Sequence, residues 1–166
     1  MDSFATLTEF SVAIAGFSGI AIAIGARDGR VSSLTQFRNR NLLNFSIGAA
    51  FGSVLPPLMG HLGQSGASIW TYSSGLFAAI IVYLVAGPFI ARSELTPSER
   101  KATSWPIWIL SIAGTSIAGV AQLLNVFGFF GDPGPGPLYA GIVWTLLMAT
   151  IQFYRLLSAN PTAPDD

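Results

Sequence analysis

The stretch ATLTEFSVAIAGFSGIAIAIGA, Ala5 to Ala26, decides the fold class. At ~1.5 Å per residue it is long enough to cross a hydrocarbon core of about 30 Å as a helix. It carries a single ionisable group, Glu9. The residues before it, Met1-Asp2-Ser3-Phe4, lack the positive region of a secretory signal, so the stretch reads as a retained helix. A charged side chain costs about 2.5–3.5 kcal/mol at the bilayer centre and less near an interface. Glu9 therefore has two readings. It is a helix-start carboxylate, about one turn inside, in reach of water and favoured by the positive end of the helix dipole. Or it is an ion or proton site.

Four further apolar runs follow: Leu42 to Leu62, Trp70 to Ala91, Trp105 to Phe130 and Leu138 to Leu157. The five runs predict an all-α polytopic membrane protein, a bundle of five transmembrane helices forming one domain over 1–157. The polar, proline-rich residues 158–166 read as a flexible cytoplasmic tail. Composition agrees: of 166 residues, 51% are hydrophobic and 10% charged, against about 25% charged in soluble chains. Lys+Arg and Asp+Glu number 8 each, leaving no basic surplus for nucleic acid. The absence of cysteine excludes disulfides, thiolate metal sites and cysteine nucleophiles.

Charge sets the orientation. With five crossings, all 8 basic residues (Arg27, Arg30, Arg38, Arg40, Arg92, Arg100, Lys101, Arg155) fall on one side, opposite Asp2, Glu9 and Asp132. The positive-inside rule then predicts the N-terminus outside and the C-terminus cytoplasmic, with anionic headgroups beside the arginines. Trp70, Tyr72 and Tyr139 at outer ends, and Trp105, Trp108 and Tyr154 at inner ones, match an interfacial aromatic belt. Trp144 lies deeper and reads as a packing residue. In the first inner loop, Val31, Leu34 and Phe37 recur every three residues, which fits either a short interfacial helix or a solvated connector. Thr96-Pro97-Ser98-Glu99 reads as a turn and capped helix start. Residues 131–137 alternate glycine and proline and are expected to be non-helical.

Close helix packing in lipid relies on small residues. Ser11, Ala15, Gly19 and Ala23 form such a ridge on the first helix, and Gly48 and Gly52 form a GxxxG on the second. Both are assigned to contacts within the chain. On the helix beginning at Trp105, Ser111, Gly114, Ala118, Gln122 and Asn125 share one face at about 100° per residue. Gln122 and Asn125, with Glu9 and His61, lie in one leaflet, and their convergence would give a cation or proton site. Pro56, Pro57 and Pro88 are expected to kink their helices.

Other chemistry finds little footing. Gly16-Phe17-Ser18-Gly19 resembles the Gly-x-Ser-Gly pattern of rhomboid-type proteases, but Ser18 lies about nine residues, roughly 13 Å, deeper than Glu9, and His61 is at the rim. One histidine makes no metal site, nucleotide motifs are absent, and Lys101 is in a loop, so neither metal nor cofactor is expected. The segment Thr8 to Ile20, followed by an arginine-rich loop and Leu55-Pro56-Pro57, resembles a loose group of uncharacterised small bacterial polytopic membrane proteins. That resemblance covers the first two helices and implies a bacterial inner membrane, but no activity. The sequence thus predicts a non-catalytic membrane subunit, a homo-oligomer or an accessory to another membrane protein. The alternative is a small channel or carrier using Glu9.

Overall fold

Helix boundaries here follow from where backbone groups find partners. The computed structural model describes residues 2–25 and 33–158. Arg27, Arg30, Val31 and the tail 159–166 lie outside the described residues, as do the side chains of Asp2, Ser18 and Ala23. Among the described residues the chain forms helices only: α1 (Asp2–Gly25), α2 (Ser33–His61), α3 (Ala67–Ser93), α4 (Pro97–Ala102), α5 (Trp105–Val126) and α6 (Pro135–Leu157). Four of these, α2, α3, α5 and α6, are long and apolar enough to cross a membrane, and α1 adds the apolar segment Phe4–Phe17.

Two glycines make sharp stops. Gly63 has φ 81°, its N–H reaches the Gly60 carbonyl at 3.1 Å, and the next N–H, of Gln64, reaches Met59 at 3.0 Å. This is a Schellman closure of α2, which needs a left-handed residue. Gly128 (φ 68°) closes α5 in the same way, with Phe129 N–H on the Leu124 carbonyl at 2.9 Å. That closure is why α5 ends at Val126 and not at Phe130. The expected non-helical stretch is also shorter than residues 131–137. Helix α6 begins at Pro135, because proline in the first turn removes an N–H that has no helical partner anyway. The Thr96 motif forms a full capping box that starts α4.

Helix α2 begins at Ser33, well before the apolar run at Leu42, so the polar segment ahead of that run is helical and not a connector. Phe37 holds this extension: it is buried with Ala91 of α3 and Leu95 beyond it. Helices α2 and α3 are continuous through Pro56, Pro57 and Pro88.

Helices α2, α3, α5 and α6 form a ring in which each packs on its chain neighbour and α6 closes against α2. Helix α1 lies outside this ring, against α2 and α6. The core comprises Leu42, Phe45, Ala49, Phe77, Ile81, Leu84, Leu138, Ile142, Leu146 and Met148. Phe77 of α3 is its centre. A methyl on Gly52 of α2 would meet the Phe77 ring at 2.5 Å, and one on Gly141 of α6 would meet it at 2.9 Å, so the ring sits in a notch between two glycines. Gly48 admits Leu84 in the same way, Gly119 admits Ile81, and Gly114 lies directly under the Trp144 indole.

Candidate functional site

Polar side chains gather at two ends of this bundle. One end carries the α2–α3 and α5–α6 turns, and the other carries the described arginines. At the turn end, Asn125 is buried on α5. Its amide nitrogen donates to Ser74 Oγ at 2.9 Å and to the Gly134 carbonyl at 3.0 Å, while its Oδ1 accepts from Gly134 N–H at 3.2 Å. The two-way bond to Gly134 replaces a backbone pairing and fixes the N-terminal end of α6, whose cap has no side-chain acceptor of its own. One turn earlier, Gln122 is fully buried, and its Nε2 donates to Pro137 O at 2.7 Å and Ala118 O at 3.3 Å. Gln122 Oε1 and Ser73 Oγ are buried without partners.

Helix α1 reaches the same end: Phe4 meets Trp70 of α3 at 6.1 Å and Tyr139 of α6 at 5.9 Å. Its packed positions are Phe4, Ser11 and Ile14, with Leu7 and Thr8 half-buried. Thr8 shares a 2.6 Å hydrogen bond with Ser53 of α2, one turn before the double proline. Glu9 is rotated about 100° from Thr8 and is exposed, away from α2. His61 is exposed too. Its Nδ1 lies 2.8 Å from the Pro57 carbonyl, which can only accept, so Nδ1 carries the proton.

The structure therefore does not gather Glu9, His61, Gln122 and Asn125. They share one end of the bundle, but Gln122 and Asn125 are spent on the α5–α6 turn, and no hydrogen bond joins any two of the four among the described residues. Of the α1 ridge, Ser11 is buried and Ala15 half-buried, while a Cβ added at Gly19 would meet nothing within 4 Å. Gly48, Gly52, Gly114 and Ala118 all face neighbouring helices. Ser111 and Thr115 complete the buried face of α5, and Trp144 Nε1 donates to Thr115 Oγ1 at 3.2 Å.

At the arginine end several of the basic side chains have specific partners within the bundle. Arg92 lies over Trp108 at 4.6 Å and Trp105 at 5.4 Å, and Phe89 meets Trp108 edge-on at 5.1 Å. The Trp105-x-x-Trp108 spacing at the start of the next long helix after Arg92 is the sequence signal for this contact. Arg100 donates to the carbonyls of Leu95 (2.9 Å) and Ser93 (2.8 Å), which ties α4 to the end of α3. Arg40 pairs with Glu94 at 3.6 Å across an exposed surface. Beside that pair a cavity of about 200 Å³ is lined by Ser33, Gln36, Phe37, Arg40, Ala91, Glu94 and Leu95. Outside the spans, the Thr96 backbone N–H, then the Thr96 hydroxyl, hold the Glu99 carboxyl below its ordinary value. Among the described residues no three of His, Cys, Asp and Glu come together. No family model, curated protein or solved structure matches the chain.

Proposed function

We propose that this protein is a non-catalytic integral membrane subunit that acts through helix packing, as a homo-oligomer or as an accessory to a membrane complex. In this reading it spans a bacterial inner membrane with five helices, N-terminus outside and C-terminus cytoplasmic. The observation that carries the reading is the outward face of α1. Phe10, Val12, Phe17 and Ile20 are exposed there, and a Cβ added at Gly16 or Gly19 would meet nothing within 4 Å, so a second helix backbone would have room to approach closely. The exposed Phe127, Phe129 and Phe130 at the α5–α6 turn extend the available surface. The bundle interior favours the same reading, because Phe77 fills the space between Gly52 and Gly141 where a transport path through one chain would run. The contacts of Phe4 with Trp70 and Tyr139 support an α1 that begins level with the starts of α3 and α6, as five crossings require.

The test is the native mass of the protein in lipid nanodiscs. A discrete oligomer, or co-purification with another chain, is expected, and a strict monomer on its own would refute the packing role. Because the chain has no cysteine, single cysteines introduced at Ser65 and Ser98 report the two faces by labelling in intact cells. Labelling of Ser65→Cys alone is expected.

The second reading, a cation or proton channel or carrier, is supported by one observation: Glu9 is exposed on the same outward side of α1 as Phe10, Val12 and Ile20. An oligomer would then line several Glu9 carboxylates along a shared path. Glu9→Gln should abolish proton or cation flux in liposomes without lowering folded yield. Flux equal to wild type ends that reading.

A further inference from the structure

Helices α3 and α5 meet at the arginine end around an open groove of about 330 Å³, lined by Phe89, Arg92, Ser93, Arg100 and Trp108. That volume falls within the range of about 300–1,000 Å³ typical of small-ligand sites. Two guanidiniums share the groove, and direct contacts place both. Arg92, in the last turn of α3, lies 4.6 Å over the Trp108 ring and 5.4 Å over that of Trp105. The two indoles stack at 5.2 Å, and Phe89 meets Trp108 edge-on at 5.1 Å. Arg100 donates through Nε to the Leu95 carbonyl and through Nη2 to the carbonyl of Ser93, the residue next to Arg92. Leu95 N–H in turn reaches the Arg92 carbonyl at 3.2 Å, which closes the backbone between the two arginines.

Among the described residues neither charge is neutralised. The Arg92 guanidinium makes no hydrogen bond and no ion pair there, and Arg100 bonds only to uncharged carbonyls. The neighbouring carboxylates are committed elsewhere: Glu94 to Arg40 at 3.6 Å, and Glu99 to the Thr96 N–H at 2.9 Å and hydroxyl at 2.7 Å. Helix α1 packs on α2 and α6, across the ring from this groove. The indoles and the carbonyl end of α3 favour a cation at Arg92, but a ring offers its N–H groups no conventional acceptor. The planar fork of donors therefore stays available, and such a fork matches two oxygens of a phosphate group. Toward the middle of the spans the groove is flanked by exposed Phe89, Ile90 and Ile109, and toward the helix ends by exposed Lys101 of α4. An arginine seated on tryptophans between an apolar surface and a basic turn stands at the junction of acyl chain and headgroup.

We infer that Arg92 and Arg100 form a phosphate-binding site in the α3–α5 groove, whose occupant is the phosphodiester of an anionic phospholipid with its acyl chains along Phe89, Ile90 and Ile109. This inference rests on the proposed membrane-spanning reading, and it adds a specific ligand site that bilayer insertion alone does not require.

The experiment counts retained lipid by native mass spectrometry of the full-length protein in mild detergent. Phosphatidylglycerol, phosphatidylcholine and inorganic phosphate serve as separate probes, and thermal unfolding is a second readout. Wild type should retain one phosphatidylglycerol about tenfold over phosphatidylcholine, the worth of one charge-assisted contact. Arg92→Gln and Arg100→Gln should each lose most of that preference, and Arg92→Lys should keep part of it, as a point charge without the fork. Trp108→Leu keeps both charges but removes the seat of Arg92, and should also weaken retention. Arg155→Gln, on α6 and outside the groove, should retain lipid as wild type does. If Arg100→Gln does not fold because α4 is released, Arg92→Gln carries the test alone. Equal retention by wild type and Arg92→Gln overturns the inference. So does a matching loss in Arg155→Gln, which would show that net charge alone is at work. Thermal protection by inorganic phosphate that Arg92→Gln abolishes, without retention of phosphatidylglycerol, would overturn the lipid in favour of a free anion. Asp28, Asp165 and Asp166 lie outside the described residues. Retention that emerges only in the triple variant Asp28→Asn/Asp165→Asn/Asp166→Asn would overturn the inference too, because the counter-charge would then come from the chain itself. Extraction by alkaline carbonate is scored separately: release would end the spanning reading, whereas an extraction-resistant protein without lipid preference would end this one.

Discussion

Replacing Gly52 with alanine tests the packing logic most directly, because two effects of known sign oppose each other there. In a helix interior, alanine is favoured over glycine by about 1 kcal/mol. Against this, the new methyl would lie 2.5 Å from Phe77 Cε2, 2.7 Å from Cδ2 and 3.1 Å from Ile142 Cγ1, where ordinary contact begins near 3.4 Å. The ring cannot retreat. Phe77 is fully buried, and its far edge already rests on Gly141. Overpacking a closed core costs about 1–3 kcal/mol, and a rigid aromatic caught between two backbones belongs at the upper end of that range. The net expectation for Gly52→Ala is a loss of about 1–2 kcal/mol. Gly60→Ala in the same helix meets nothing within 4 Å, so it should keep the helical gain and stabilise by up to about 1 kcal/mol. Reversible unfolding in mixed micelles measures both. Phe77→Leu in the Gly52→Ala background should recover part of the loss, giving a coupling energy of opposite sign to the single change. Gly52→Ala at or above wild-type stability, with Gly60→Ala no different, would refute the notch.

Three further expectations follow from the polar contacts. Asn125→Ala removes both bonds to Gly134 and the bond to Ser74, and should cost about 1–3 kcal/mol while making the 127–134 turn more susceptible to proteolysis. Thr8→Val and Ser53→Ala should couple by about 0.6 kcal/mol, and by no more than ~1.7, in a double-mutant cycle on unfolding. Glu99 has a folded-state titration below its unfolded one, so its contribution to the α4 cap is present above the unfolded value and is lost as pH falls through the folded one. Carboxyl NMR titration should show Glu99 titrating below an ordinary glutamate, and Thr96→Ala should return it towards the usual range.

The sequence by itself determined the apolar helix lengths and the one self-contained cap, because each depends on neighbouring residues alone. The apolar run lengths required membrane-length helices, and α2, α3, α5 and α6 have that length. Thr96-Pro97-Ser98-Glu99 specified its own capping box, because all the groups involved lie within one turn. The errors at helix ends were also local: hydropathy cannot see that polar Ser33 to Asn41 continues a helix, nor that proline at Pro135 begins one. Tertiary structure alone decided which way each helix faces. Residues 8 and 9 are neighbours in sequence, yet Thr8 bonds to α2 and Glu9 is exposed, a consequence of about 100° of helix rotation that packing fixes and composition does not. The polar face of α5 could be read from spacing, but that Gln122 and Asn125 would turn to the backbone of Pro137 and Gly134 depended on where α6 docks. The arginines were legible as charges. Their separation into an Arg40–Glu94 pair and an Arg92 seated on tryptophans arises only when α2, α3 and α5 are brought together.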